Sequence, residues 1–203
     1  MRTNHILIDW ENVQPDSLEL LNREDVRVYL FTGALQKSIP TSTAAALQPL
    51  GSRAQYIQMA RSGRNALDFH IAFYIGRLSA TEENPYFHVI AKDKDLDVLI
   101  EHLKAQKIFC TRSVKVTDMP FIKLSVAKTP RDRMAIIVDF LRAPTNTLPT
   151  TRKRLAGVIK ARLDKSITGD DIEAVLQAMI DDGFAVIDGT KVSFPAIVKT
   201  GKL

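Results

Sequence analysis

Short apolar runs alternate with stretches of helical spacing over residues 1–125, and the alternation sets out a series of elements. Residues 5–8 (HILI) read as a strand ending in Asp9, and residues 26–31 (VRVYLF) as a second, closed by Thr32 and Gly33. Residues 54–59, with Tyr56 and Ile57 inside, give a third; residues 87–91 (FHVIA) and 107–111 give a fourth and a fifth. Between them, Pro15 suits the first turn of a helix, and residues 41–50 predict a modest helix leading to Gly51. In RSGRNALDFHIAFYIGRL, Leu67, Ile71, Tyr74, Ile75 and Leu78 form one apolar stripe, while Phe69, Ala72, Phe73 and Gly76 nearly form another. That pattern predicts a helix buried against a sheet over most of its circumference. Leu96, Leu99, Ile100 and Leu103 recur at i, i+3, i+4, i+7, which is one helix face. Strand and helix in alternation predict an α/β fold, a mostly parallel sheet with helices on both faces.

Past Pro130 the period changes. Met134, Ile137, Val138 and Leu141 share a helix face, APTNTLP breaks it, and Leu155, Ile159 and Leu163 mark a second helix. Thr168 with Asp171 resembles a capping box ahead of Ile172, Val175, Leu176, Met179 and Ile180, a third helix that ends at Gly183. FAVIDGTKVSF then reads as a hairpin turning at Asp188 and Gly189. Three helices and a hairpin predict a small winged-helix-like domain. The expected division is residues 1–125 and 126–203, with a linker at about 115–130 that holds Pro120 and Pro130.

Composition changes this picture little: 203 residues, 45% hydrophobic and 25% charged, suffice for one sizeable core and a smaller one. The single cysteine, Cys110, excludes an intramolecular disulfide, fits a reducing compartment, and sits in an apolar window as a core residue. Acidic residues arrive too early for a secretory signal and no apolar run approaches membrane length, so a soluble, cytoplasmic protein is expected. A net charge of +5 permits a polyanionic partner without requiring one.

The chemistry concentrates in FHVIAKDKDLDVLIEHL, where Asp93, Asp95 and Asp97 stand between the fourth strand and the next helix. One aspartate there would read as a cap for that helix, the role open to Asp95. Three at alternate positions repel one another, and a cation relieves that most simply. Asp9 and Asp68 come from two other strand–helix units, whose loops share the carboxyl edge of a parallel sheet. Carboxylates gathered there offer hard oxygen ligands to a divalent ion that activates water and neutralises developing charge on a phosphodiester. Asn12, on the loop after Asp9, is placed to orient a phosphate or to reach the ion through water, and Asn65 to cap the helix of Asp68. Arg61, Arg64, Lys92 and Lys94 lie on the same loops and offset substrate phosphates or the acids themselves. His5, His70, His88 and His102 are scattered and read as structural; no Gly-rich phosphate loop, serine-nucleophile motif or zinc spacing is present.

IDWENV, GRNALDFHIAFYIG and IAKDKDLDVLIEHL together resemble the bacterial NYN/PIN-like nuclease family, over roughly the first 125 residues. The resemblance implies a PIN-like three-layer α/β/α sandwich and cleavage of RNA or single-stranded nucleic acid with Mg2+ or Mn2+. It makes Asp9 the strand-one acid, Asn12 its loop asparagine, Asp68 the helix acid and Asp93 the first acid of the D-x-D turn. Asp95 and Asp97 stay open as alternatives for the remaining position, since some relatives pair the first acid with the second and others with the third. The ligand set carried forward is Asp9, Asp68, Asp93 and Asp97, with Asp95 and Asn12 as further catalytic residues. A catalytically weak nucleic-acid-binding or assembly protein on the same platform is the alternative. A phosphatase is a third reading, and it lacks a D-x-D motif after the first strand, where D-W-E stands.

The smaller domain carries most of the excess charge: 13 basic minus 9 acidic residues (+4) over 126–203, against 15 minus 14 (+1) over 1–125. Its third helix holds Asp170, Asp171, Glu173, Asp181 and Asp182 with no cation, which argues against the usual groove reading by that helix. Its second helix holds Arg152, Lys153, Arg154, Lys160 and Arg162. These either grip a nucleic-acid backbone or pair with the acidic helix, within one chain or across a homodimer.

Overall fold

The computed structural model describes residues 2–163 and 167–198. The chain divides into two compact units, Met1–Met119 and Pro120–Leu203. Among the described residues no helix is long and apolar enough to cross a membrane.

The first unit is built on strands β1 (Asn4–Asp9), β2 (Val26–Thr32), β3 (Ala54–Gln58), β4 (Tyr86–Ile90) and β5 (Phe109–Ser113). They form one wholly parallel sheet in the order β3-β2-β1-β4-β5. All six residues of β1 are buried, as expected of a central strand covered on both faces. The chain leaves β1 toward β2 on one side and reaches β4 on the other, so the switch in strand order lies between β1 and β4. In an α/β sheet that switch opens a crevice at the carboxyl ends of the two strands. Register places Ile8 beside Ile90, so the loops after Asp9 and Ala91 start side by side.

Helices α1 (Thr41–Leu47), α2 (Ala66–Thr81) and α3 (Leu96–Ala105) connect the later strands. Leu67, Ile71, Ile75 and Leu78 of α2 and Leu96, Ile100 and Leu103 of α3 pack with Leu7, Tyr29, Phe31, Phe87 and Val89 in one core cluster. The second apolar stripe of α2 does not share this burial. Phe69 is 69% exposed and Phe73 60% exposed, because one face of a helix meets a sheet and the opposite face cannot.

Three local expectations change in the fold. After β1 there is no helix starting at Pro15; the segment runs as loop to a 3-10 turn, Leu18–Leu21, entered through Ser17 at φ 63°. Leu18 and Leu21 are both buried, and their i, i+3 spacing eclipses in a 3-10 turn. Asn65 occupies the N-cap position of α2 in a left-handed conformation, with no side-chain cap bond. β5 starts two residues later than expected, because α3 closes first. Lys107, at φ 61°, donates its N–H to the Lys104 carbonyl, and Ile108 donates to that of Leu103, a Schellman-type stop.

In the second unit, the expected linker contains helix α4 (Pro120–Val126), held by the buried Ile122. Helix α5 (Pro130–Arg142) begins at a Thr129–Asp132 capping box, α6 (Arg152–Arg162) at Thr151, and α7 (Gly169–Asp181) at a Thr168–Asp171 capping box. Strands β6 (Val186–Asp188) and β7 (Lys191–Ser193) form the antiparallel hairpin, turning at Gly189 with φ 56°. Thr151 adds a single antiparallel bridge to Lys191. Met134, Ile137, Val138, Leu141, Leu155, Ile159, Val175, Leu176, Met179 and Val192 make this unit's own core.

Candidate active site

Asp9 is the last residue of β1 and is 1% exposed. Its charge is met by the next turn of chain: the Asn12 backbone N–H donates to Oδ1 at 3.1 Å and the Asn12 side-chain amide to Oδ2 at 2.9 Å. The strand-to-loop break at Asp9 makes this possible, since it brings residue i+3 back over the strand end. Asn12 itself is exposed, and in this arrangement it orients the carboxylate of Asp9.

Asp68 lies in the first turn of α2 and is half-buried. Its carboxyl titrates above the usual range, first through burial and then through the charges of Asp9, Asp93 and Asp95. Three strand–helix units therefore bring four acids within electrostatic reach at the β1–β4 switch. Asp93, on the loop after β4, accepts the Asp95 backbone N–H at 3.0 Å. Asp95 occupies the N-cap position of α3, yet its side chain makes no cap bond and stays exposed. The expected capping role of Asp95 is thus absent, because the residue is already helical in its backbone angles.

Asp97, expected among the metal ligands, faces a different partner. Arg112 on β5 donates to it from Nε at 2.7 Å and Nη2 at 2.9 Å, and from Nη1 to the Ala91 carbonyl at 3.1 Å. That fork holds the Asp97 carboxyl below the usual range and raises the guanidinium. It also fastens the end of β4 to the first turn of α3. Asp97 is absent from the groups that act on Asp68. Sequence reasoning overlooked Arg112, whose only signal was a cation at the carboxyl end of the fifth strand. Arg61, Arg64, Lys92 and Lys94 are exposed and form no salt bridge among the described residues. The Glu11 carboxylate lies over Gly33, where an added Cβ would stand 2.6 Å from it, so a side chain there would only turn the exposed Glu11 aside.

The donor chemistry suits a hard divalent cation, all oxygen and mutually repelling. Among the described residues, however, no three acidic, histidine or cysteine side chains stand close enough to hold an ion between them. Mg2+ tolerates such a site, since it keeps several waters and binds through one or two carboxylates. The histidines stand apart. His88 is buried between Asn4 and Thr111, its imidazole pushed down to about 3 by burial, and His5 is buried on the adjacent strand toward the same end of the sheet. The Cys110 thiol is buried and pushed up to about 12.

Asp68 carries a testable sign. Its folded-state pKa is raised, so the folded state binds more protons, and stability falls as pH rises from the unfolded value of 3.8 through the raised one. Asp68→Asn is expected to stabilise the protein at neutral pH by less than about 1 kcal/mol, because solvent still screens this group. Thermal melts of both proteins at pH 4 and pH 7 check this; equal gains at both pH values would sink the assignment.

Residues 3–113 match the family model of the PIN domain, which is more than half of the chain. The chain belongs to the PIN domain family. Members are typically nucleases that use Mg2+ or Mn2+. No curated protein and no solved structure matches the chain.

Proposed function

We propose that this protein is a metal-dependent ribonuclease of the NYN branch, hydrolysing phosphodiester bonds of RNA or single-stranded nucleic acid in the cytoplasm. The observation that carries the reading is the meeting of Asp9, Asp68, Asp93 and Asp95, from three separate units, at the β1–β4 switch. Of Asp9, Asp68 and Asp93, one or two would bind Mg2+ or Mn2+ directly and the rest through its waters, with Asp95 as the fourth acid nearby. When bound, the ion supplies an activated water and neutralises charge developing on the phosphate. Asn12 orients Asp9 for this role, and Asp97 acts through Arg112 to hold the Asp93–Asp95 loop against β5. Arg61, Arg64, Lys92 and Lys94 offer unpaired cations to substrate phosphates.

The second unit is read as a winged-helix-like domain. The helix–helix–helix–hairpin order supports it, as does the Thr151–Lys191 bridge, which adds a third strand position. Its acidic α7 is largely answered from within the chain: Arg152 pairs with Glu173, Arg133 with Asp171 at 2.6 Å, and Arg131 with Asp182 at 3.2 Å. Lys153, Arg154 and Lys160 remain exposed on α6 without an ion pair among the described residues. They are the residues assigned to hold a substrate backbone without reading its sequence.

A second reading, a nucleic-acid-binding or assembly platform without cleavage, is favoured by the acids' failure to close around one point. A single experiment separates the two. The purified protein is incubated with single-stranded RNA and Mn2+, then with excess chelator. Cleavage that appears with the ion and stops with the chelator supports the nuclease; binding without cleavage at any divalent ion supports the platform.

A further inference from the structure

The exposed face of α2 holds an aromatic pair that no described element of the first unit covers. Phe69 and Phe73 are 69% and 60% exposed, four residues apart and hence about 6 Å along the helix axis. Buried aromatics repay their area in a core; two on a solvent face of one helix call for an occupant. Phe73 is braced, its ring meeting that of Tyr74 edge-on at 5.8 Å, and the Arg77 guanidinium lies 5.7 Å from its centre. Phe69, Phe73 and Arg77 thus form a ridge at i, i+4, i+8, beginning one residue beyond Asp68. We propose that this ridge is a stacking platform for successive unpaired bases of a single-stranded nucleic acid, adjoining the acid site. The inference rests on nucleic acid being the substrate of that site.

Charge selects this occupant over another protein. Residues 61–81 carry Arg61, Arg64 and Arg77 against a single acid, Asp68, which is half-buried and within electrostatic reach of Asp9, Asp93 and Asp95. A polyanion finds cations at both ends of the aromatic pair, with no exposed acid between them. A second copy laid across the same face about a two-fold axis would set arginine near arginine with nothing to pair them. Bases, moreover, present a flat π-face of any sequence to a phenyl ring, and backbone phosphates reach the flanking arginines. A duplex keeps its bases stacked on one another and gains nothing from the rings. The platform therefore makes the site selective for single strands.

The test uses the full-length protein in excess chelator, so that binding is read without cleavage. The probe is a short single-stranded RNA carrying a fluorescent purine analogue, with its duplex as control. Phe69→Leu and Phe73→Leu keep apolar area and remove the aromatic face. Each is expected to weaken single-strand binding about five-fold or more and to abolish the quenching of the analogue, with duplex binding unchanged. Phe69→Trp and Phe73→Trp are expected to bind at least as tightly as the wild type. Leucine variants that bind and quench like the wild type overturn the proposal. So does a leucine pair that loses a dimer in sedimentation while holding RNA normally, since the face is then an interface between copies. A wild-type protein that cleaves RNA but never quenches the analogue defeats only this inference. Stacking in a protein that never cleaves defeats only the nuclease.

Discussion

Asp9→Asn is expected to lower metal-dependent cleavage of RNA by about 10³-fold, on the scale of losing one charge-stabilising group at a reaction centre. The fold should hardly notice. The amide keeps the shape of the carboxylate, and Asn12 can still donate one hydrogen bond to its oxygen, so the stability change stays within about 1 kcal/mol. Asp93→Asn belongs to the same class, with loss of activity at near-constant melting temperature. Asp97→Ala is expected to behave in the opposite way. Arg112 has only 15% of its side chain exposed and loses both bonds to Asp97, at a cost of about 1–2 kcal/mol. Cleavage should fall less than in Asp9→Asn, because the loop is loosened while the acids around Asp68 remain. The measurements are initial rates with Mn2+ beside thermal melts for all three variants. Wild-type rates in both Asp9→Asn and Asp93→Asn would remove the acid site from the mechanism.

Replacing Lys153, Arg154 and Lys160 together by alanine is expected to weaken single-stranded RNA binding about 100-fold near 0.1 M salt. Each lost phosphate contact removes about 0.7 from the slope of log K against log salt, so the slope should shrink by about 2. Arg152→Ala provides the internal contrast. Arg152 already pairs with Glu173, so its loss should leave the salt slope nearly unchanged. Titrations at several salt concentrations read both effects, and sedimentation reads assembly in parallel. A triple variant that binds RNA normally but changes its oligomeric state would make α6 an assembly surface instead.

The strands of the first unit were legible because they are short runs of Val, Ile, Leu, Tyr and Phe, the composition of strands buried on both faces. β5 slipped furthest, and the cause is local: Lys107 adopts a left-handed stop that its sequence does not announce, where glycine would have. The turn after β1 was harder still. Leu18 and Leu21 satisfy a 3-10 turn and an α-helix equally, and burial of the pair decided between them.

Residue types and spacings by themselves determined that an α/β sheet would form, that Asp9, Asp68 and the acids after β4 would end strands or open helices, and that a smaller helical part would follow. Those are properties of local propensity and period, and they survive any packing. What only the tertiary structure decided was which side chains find each other. Asp97 differs from Asp95 because Arg112, fifteen residues away on β5, reaches one and not the other. Phe69 and Phe73 read as core by their chemistry, and they are exposed because the sheet can cover only one face of α2. Charge and apolar area are carried by single residues, whereas pairing and burial are relations between residues. The relations arise only when parallel strand order sets the β1 and β4 ends side by side.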